Sequence, residues 1–140
     1  MCTSLTYENS RGDHFLARTM DFAFELGGQP IFMPRQQEID GDAGTFTTKY
    51  GFIGAGRNLS HYIFVDGVNE FGLGAAALYF RGYAKYQQSA PADKLAIAPH
   101  DVVAWALGNA QSVADLRELV KHIQICLLYT SPSPRDPKTS

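Results

Sequence analysis

A block of strand patterns followed by two helix patterns predicts an α+β fold for this chain, rather than alternating βαβ units. Up to about residue 86 the residues cluster or alternate as β-formers do, broken by short turn-forming runs. Beyond residue 99 apolar residues recur at helical spacing. With 140 residues, 45% hydrophobic and 19% charged, the chain has the length and composition of one globular domain with a core.

Each element has its own signal. Residues 3–8 set Leu5 and Tyr7 among small or polar neighbours, as in a half-buried strand. Asn9-Ser10-Arg11-Gly12-Asp13 is a turn cluster, and residues 14–20 read as the returning strand of a hairpin. Residues 29–33 form a short strand stopped by Pro34. Residues 41–44 are a polar loop, and residues 45–53 are rich in β-branched and aromatic side chains. Residues 61–65 and 73–80 are two more strands, joined by the tight connection Asp66-Gly67-Val68-Asn69-Glu70. Residues 87–94 are a polar linker. Pro99 opens a helix carrying Val102, Val103, Trp105, Ala106 and Leu107, with Gly108-Asn109 as its stop. Ser112 is an N-cap with Asp115 in the capping-box position, and Val113, Leu116, Leu119, Val120 and Ile123 follow at helical spacing.

From Cys126 onward the pattern fails. Residues 130–140 hold three of the seven prolines and do not continue a packed domain. The expected division is a domain over residues 1–125 and a disordered tail over residues 126–140, read as a sequencing or assembly artefact. A natural disordered C-terminus is the alternative.

Composition narrows the function. A net charge of −2 gives no electrostatic case for nucleic acid or an anionic membrane. There is no apolar run of bilayer length and no signal-peptide pattern, so a cytoplasmic location is expected. Cys2 and Cys126 do not resemble a secreted disulfide scaffold. His14, His61, His100 and His122 are scattered without zinc spacing, so neither a metal nor a cofactor is expected. Gly54-Ala55-Gly56 lacks the third glycine and following helix of a dinucleotide fingerprint. Asn58-Leu59-Ser60 is a sequon with no secretory route, and His100 reads as a surface or capping residue.

Chemistry enters at Cys2. Removal of Met1 would leave a thiol and an α-amine on one carbon, with ordinary pKa values near ~8.5 and ~8. The amine can take the thiol proton and later return it to a leaving nitrogen, so one residue supplies nucleophile and base. A hairpin returns Arg18 and Asp21 to the neighbourhood of residue 2. A guanidinium there favours the thiolate, and a carboxylate holds the amine. Taken singly, each is also what an ordinary surface ion pair looks like.

Together the motifs resemble the choloylglycine hydrolase family, which comprises penicillin V acylases and conjugated bile salt hydrolases. They are Met1-Cys2-Thr3-Ser4, Leu16-Ala17-Arg18-Thr19-Met20-Asp21-Phe22, Asp66-Gly67-Val68-Asn69-Glu70-Phe71-Gly72-Leu73, and Ala77-Leu78-Tyr79-Phe80-Arg81-Gly82-Tyr83. The likeness runs to about residue 125 and is nearest the Gram-positive penicillin V acylase-like branch. It implies the N-terminal part of a four-layer αββα N-terminal-nucleophile (Ntn) hydrolase sandwich with antiparallel sheets. It implies catalytic roles for Cys2, Arg18 and Asp21, and an oxyanion-donor role for the backbone N–H of Tyr79. It implies substrate contacts from Met20, Phe22 and the Tyr79 ring, though core is the default for such residues. Tyr79 favours a phenoxyacetyl group over a steroid.

The reaction implied is hydrolysis of a small-molecule linear amide through a thioester, penicillin V acylase-like first and bile salt hydrolase second. Acyl homoserine lactone cleavage is a physiological role by family analogy. A homo-oligomer, up to a tetramer, is implied for the full-length protein. Members of the family are more than twice this length, so the 140-residue chain is expected to be unstable and inactive by itself. From another class, a non-catalytic fragment with chance matches remains the competing reading.

Overall fold

The first turn is built by one side chain. The Asn9 carboxamide oxygen accepts from the N–H groups of Arg11 and Asp13 at 2.9 and 3.0 Å, and its Nδ2 donates to Asp13 Oδ2 at 2.8 Å. Gly12 takes a positive φ of 84°, which a side chain would strain. This turn joins β1 (Ser4–Glu8) to β2 (His14–Arg18), antiparallel with Ser4 opposite Arg18. Tyr7 stacks on Phe15 with ring centroids 4.8 Å apart. A computed structural model provides these coordinates and describes residues 2–21, 25–79 and 82–127.

The central sheet has five strands. They are β3 (Gln29–Met33), β6 (Phe52–Asn58), β7 (Tyr62–Phe64), β8 (Asp66–Asn69) and β9 (Gly74–Ala76). The order is β3-β6-β8-β9, and β7 pairs with the far half of β6. A smaller hairpin, β4 (Glu38–Asp40) with β5 (Thr45–Thr47), lies between β3 and β6 in the chain. Phe64 faces Gly56, but Val68 faces Ile53, so the register slips by one residue between them. Val65 and Asp66 thus share the single partner Ala55, which makes a β-bulge.

One helix closes one face of the sheet, and a second follows it. α1 (Val102–Asn109) follows a short 3₁₀ turn, Pro99–Asp101, and packs on β7, β8 and β9. It buries Ala104, Trp105 and Leu107 against Phe52, Phe64 and Leu73. Phe52 and Phe64 meet edge-to-face at 4.8 Å. α2 (Val113–Leu119) is capped by Ser112 Oγ, which accepts from the Asp115 N–H at 3.1 Å. Asn69 locks the two layers together. It is 5% exposed, its Nδ2 donates to the carbonyls of Leu107 and Ala110, and its Oδ1 accepts from the N–H groups of Phe71 and Leu73.

The other face of the sheet is open. Ile53 and Val68 alternate with the buried positions and point away from α1, 50% and 43% exposed. The β1–β2 hairpin lies across this side, with β2 near β9 and Leu16 over Gly74. A groove of about 890 Å³ runs between hairpin and sheet. No helix among the described residues is long and apolar enough to cross a membrane.

The α+β class and the antiparallel sheets are as expected, and several element boundaries differ. Residues 66–69 are a strand, not a tight connection, because Gly54 and Gly67 let two backbones approach within contact distance. The strand expected over 45–53 is two strands separated by residues 48–51, and β6 runs on to Asn58. The last strand of the sheet is β9 alone, ending well short of Tyr79. Ile123 does not extend α2. After a 3₁₀ turn it opens β11 (Ile123–Ile125), parallel to β10 (Leu95–Ile97). Cys126, fully buried, donates its N–H to the Ile97 carbonyl at 2.9 Å. Residues 128–140 lie outside the described residues.

Candidate active site

The hairpin brings three of the expected residues together. Beyond the Ser4–Arg18 pair, the Thr19 N–H donates to the Thr3 carbonyl at 2.8 Å, and the Thr3 N–H donates to Thr19 Oγ1 at 3.0 Å. These bonds carry the pairing past the end of β1 and set Cys2 beside the Met20–Asp21 segment. Cys2 is buried, and the Asp21 backbone N–H hydrogen-bonds its sulfur.

That contact is the largest of several influences on the thiol. The Asp21 N–H lowers its pKa below the ordinary thiol value, burial opposes the shift, and the charge and hydrogen bond of Arg18 and the α-amino charge lower it further. The Asp21 carboxylate is in turn held below its usual range, first by its hydrogen bond to the chain's α-amino group and then by that group's charge. The amino group in this contact is that of the uncleaved chain start, one residue before Cys2, so thiol, guanidinium and carboxylate are brought together while the Cys2 nitrogen is still in a peptide bond.

Arg18 is fixed by the bulge. Its side chain is 8% exposed, Nη1 donates to the Val65 carbonyl at 2.9 Å, and the same nitrogen lies 3.8 Å from Asp66 Oδ2. Nε reaches the Thr19 carbonyl at 3.4 Å. Two successive bulge residues thus supply a carbonyl and a carboxylate to one guanidinium. Val65 and Asp66 were not among the residues expected at the site. Their signal lies in a register slip, which is invisible in the sequence.

Tyr79 is connected through the same carbonyl. The Ala77 N–H donates to Val65 O at 2.8 Å, so Arg18 and the chain leading to Tyr79 share one acceptor. Tyr79 is 64% exposed. Met20 is 39% exposed beside Cys2. Phe22 lies outside the described residues, as do Phe24 and Phe80.

Comparison with known proteins shows what the chain as a whole is similar to. The profile of the linear amide C–N hydrolases, choloylglycine hydrolase family, matches residues 2–131. The bile salt hydrolase/transferase of Clostridium perfringens is 34% identical over 128 residues, 89% of this chain and 39% of the relative. The bile salt hydrolase/transferase of Lactiplantibacillus plantarum is 32% identical over 126 residues, 89% of this chain and 37% of the relative. The crystal structure of the C2A mutant of the conjugated bile acid hydrolase from Clostridium perfringens superposes with a TM-score of 0.82 at 32% identity, over 90% of this chain and 39% of that one. Its R18L variant superposes at 0.80 and 30% identity, with the same coverage. The penicillin V acylase of Agrobacterium tumefaciens shares the fold, with a TM-score of 0.72 at 24% identity, over 93% of this chain and 41% of that one. The chain spans about two fifths of the length of these relatives.

Proposed function

Because the chain belongs to the choloylglycine hydrolase family of linear amide C–N hydrolases, we propose that it is the nucleophile-bearing part of a cysteine amidase whose nucleophile is Cys2. One observation carries this reading: the Asp21 N–H and the Arg18 guanidinium both favour the Cys2 thiolate, while the Asp21 carboxylate holds the chain's α-amino group. The relative's two engineered positions, C2A and R18L, carry the same numbers and residue types as Cys2 and Arg18 here.

The mechanism follows from these groups. Met1 is removed, which frees a new α-amine on Cys2 for the Asp21 carboxylate to hold in place of that of Met1. The amine takes the thiol proton as sulfur attacks the amide carbonyl. The Tyr79 backbone N–H stabilises the developing oxyanion. The C–N bond breaks, and the ammonium returns its proton to the leaving amine, leaving a thioester. Water, deprotonated by the same amine, then attacks the thioester and releases the acid and the thiol. No cofactor or metal takes part in this sequence.

For the acyl group, conjugated bile salts lead, since the relatives carry that name. A phenoxyacetyl amide such as penicillin V is the second reading, favoured by the exposed Tyr79, with Met20 and Phe22 as the further acyl contacts that the family resemblance implies. The protein extended to its relatives' length decides between them. A kcat/KM for glycocholate well above that for penicillin V supports the first, and the reverse order supports the second. Failure on both, with Met1 absent by intact mass, overturns the amidase reading. Retention of Met1 in a fully active enzyme would remove Cys2 as the base. The active form is a homo-oligomer, up to a tetramer, which sedimentation of that protein measures.

A further inference from the structure

Away from Cys2, three segments distant in sequence bring two histidines and two aspartates together. Asp42 comes from the β4–β5 loop, His61 from the residue before β7, and His100 and Asp101 from the turn that opens α1. One ligand atom each from Asp42, His61 and His100 lies within 4.8 Å of the others. His100 Nε2 is 2.6 Å from Asp42 Oδ2, and His61 Nδ1 is 4.0 Å from Asp42 Oδ1.

Asp101 orients the set from beneath. It is 1% exposed, its Oδ1 takes the Nε2–H of His61 at 2.6 Å, and its Oδ2 accepts the Asp42 N–H at 3.2 Å. Oδ2 also lies 3.8 Å from His100 Nε2. Since a carboxylate only accepts, the bond to Asp101 places the His61 proton on Nε2 and leaves the Nδ1 lone pair facing Asp42. Ser60 Oγ lies 3.1 Å from that Nδ1. A buried carboxylate that fixes the tautomer of a histidine, whose other nitrogen faces further donors, is the support that metal-binding histidines use. Gly41 permits the approach, because a Cβ there would meet Asp101 Oδ2 at 2.6 Å.

We propose that Asp42, His61 and His100 form a binding site for a divalent transition-metal ion, with zinc the best match and Asp101 as a positioning residue. Two imidazoles and one carboxylate select zinc or a similar borderline ion over magnesium or calcium, which prefer all-oxygen sets. Zinc at about 2.0–2.2 Å from each donor needs the three ligand atoms slightly rearranged, and Asp42, with a half-exposed side chain, is the member able to shift. Three protein ligands leave one tetrahedral position for water. The ion would tie the β4–β5 loop to the start of β7 and to the first turn of α1. The site is distinct from the Cys2 centre and takes no part in the amidase mechanism.

The test uses the full-length protein with Cys2→Ala, so that the active-site thiol cannot take the metal. It is stripped of metal and titrated with Zn(II) against a chromophoric chelator, with circular dichroism confirming the fold of each variant. The expected result is one equivalent of zinc per chain and a raised melting temperature, which magnesium does not reproduce. Asp42→Asn and His100→Ala, both at accessible positions, should each weaken binding at least tenfold. Asp101→Asn should weaken it by about 10–100-fold. Absence of stoichiometric zinc binding would leave a proton-only His–Asp network and overturn the proposal. Binding unchanged by Asp42→Asn and His100→Ala together would place the metal elsewhere and overturn it equally.

Discussion

The two faces of the central sheet are made differently. Under α1 the sheet is closed: Leu107 and Ile97 are fully buried, Phe64 is 1% exposed, and Asn69 satisfies four backbone groups, two in its own turn and two across the interface. On the hairpin side it is open: Tyr7, Phe15, Leu16, Ile53 and Val68 are all exposed around a groove of about 890 Å³. The closed face holds the fold together. The hairpin that carries Arg18, with Cys2 just before it, lies on the open face. The Cys2–Arg18–Asp21 cluster and the packed core thus lie on opposite sides of one sheet.

The comparison can be broken most sharply at Cys2. In the protein of full relatives' length, Cys2→Ala should lower kcat by roughly 10⁴-fold or more, the scale seen when a covalent nucleophile is removed. The melting temperature should hardly move. The closed face should behave in the reverse way. Leu107→Ala should cost about 2–5 kcal/mol by emptying a packed position, read from denaturant unfolding, with kcat/KM retained by the folded fraction. Asn69→Ala should cost about 3 kcal/mol or more, because several buried backbone groups lose their partner at once.

Smaller effects refine the open face. The Cys2 thiol is held below its ordinary pKa, so alkylation by iodoacetamide should persist at pH values where an ordinary thiol is protonated and slow. Arg18→Leu should move that profile back toward higher pH, and an unmoved profile would remove Arg18 from the site. The weakest test is the rim pair Arg35–Glu70, in which the guanidinium and the Gly51 N–H hold Glu70 below its ordinary carboxylate value. A lowered carboxylate pKa stabilises the fold above the ordinary range and loses that contribution as pH falls through the lowered value. Arg35→Ala should therefore be less stable than wild type near neutral pH, with the difference disappearing in acid.

How much of this was legible in the sequence depended on whether the signal was local. The β1–β2 hairpin, the Ser112 cap and the apolar run of α1 all read directly, because turn chemistry, capping and helix-opening signals act within a few residues. The motifs at Cys2, Arg18 and Asp21 were legible too, since a short hairpin decides their proximity. The bulge at Val65 and Asp66 was not. It depends on a register between strands, and its glycine-rich neighbours look like a turn. The β10–β11 pair was hidden for a similar reason: its two three-residue strands lie far apart in the chain, on either side of both helices. The His61–His100–Asp42 cluster is the extreme case. Its members look scattered along the chain, and only the placement of β7 against the first turn of α1 makes them neighbours.

The central claim is that Cys2, freed of Met1, forms the covalent bond to the acyl group. Acid quenching of the full-length enzyme during turnover, followed by digestion and mass spectrometry, tests it directly. The account predicts an acyl thioester on a peptide that begins at Cys2, absent from the Cys2→Ala variant. An acyl adduct on another residue, or full turnover by Cys2→Ala, would contradict it.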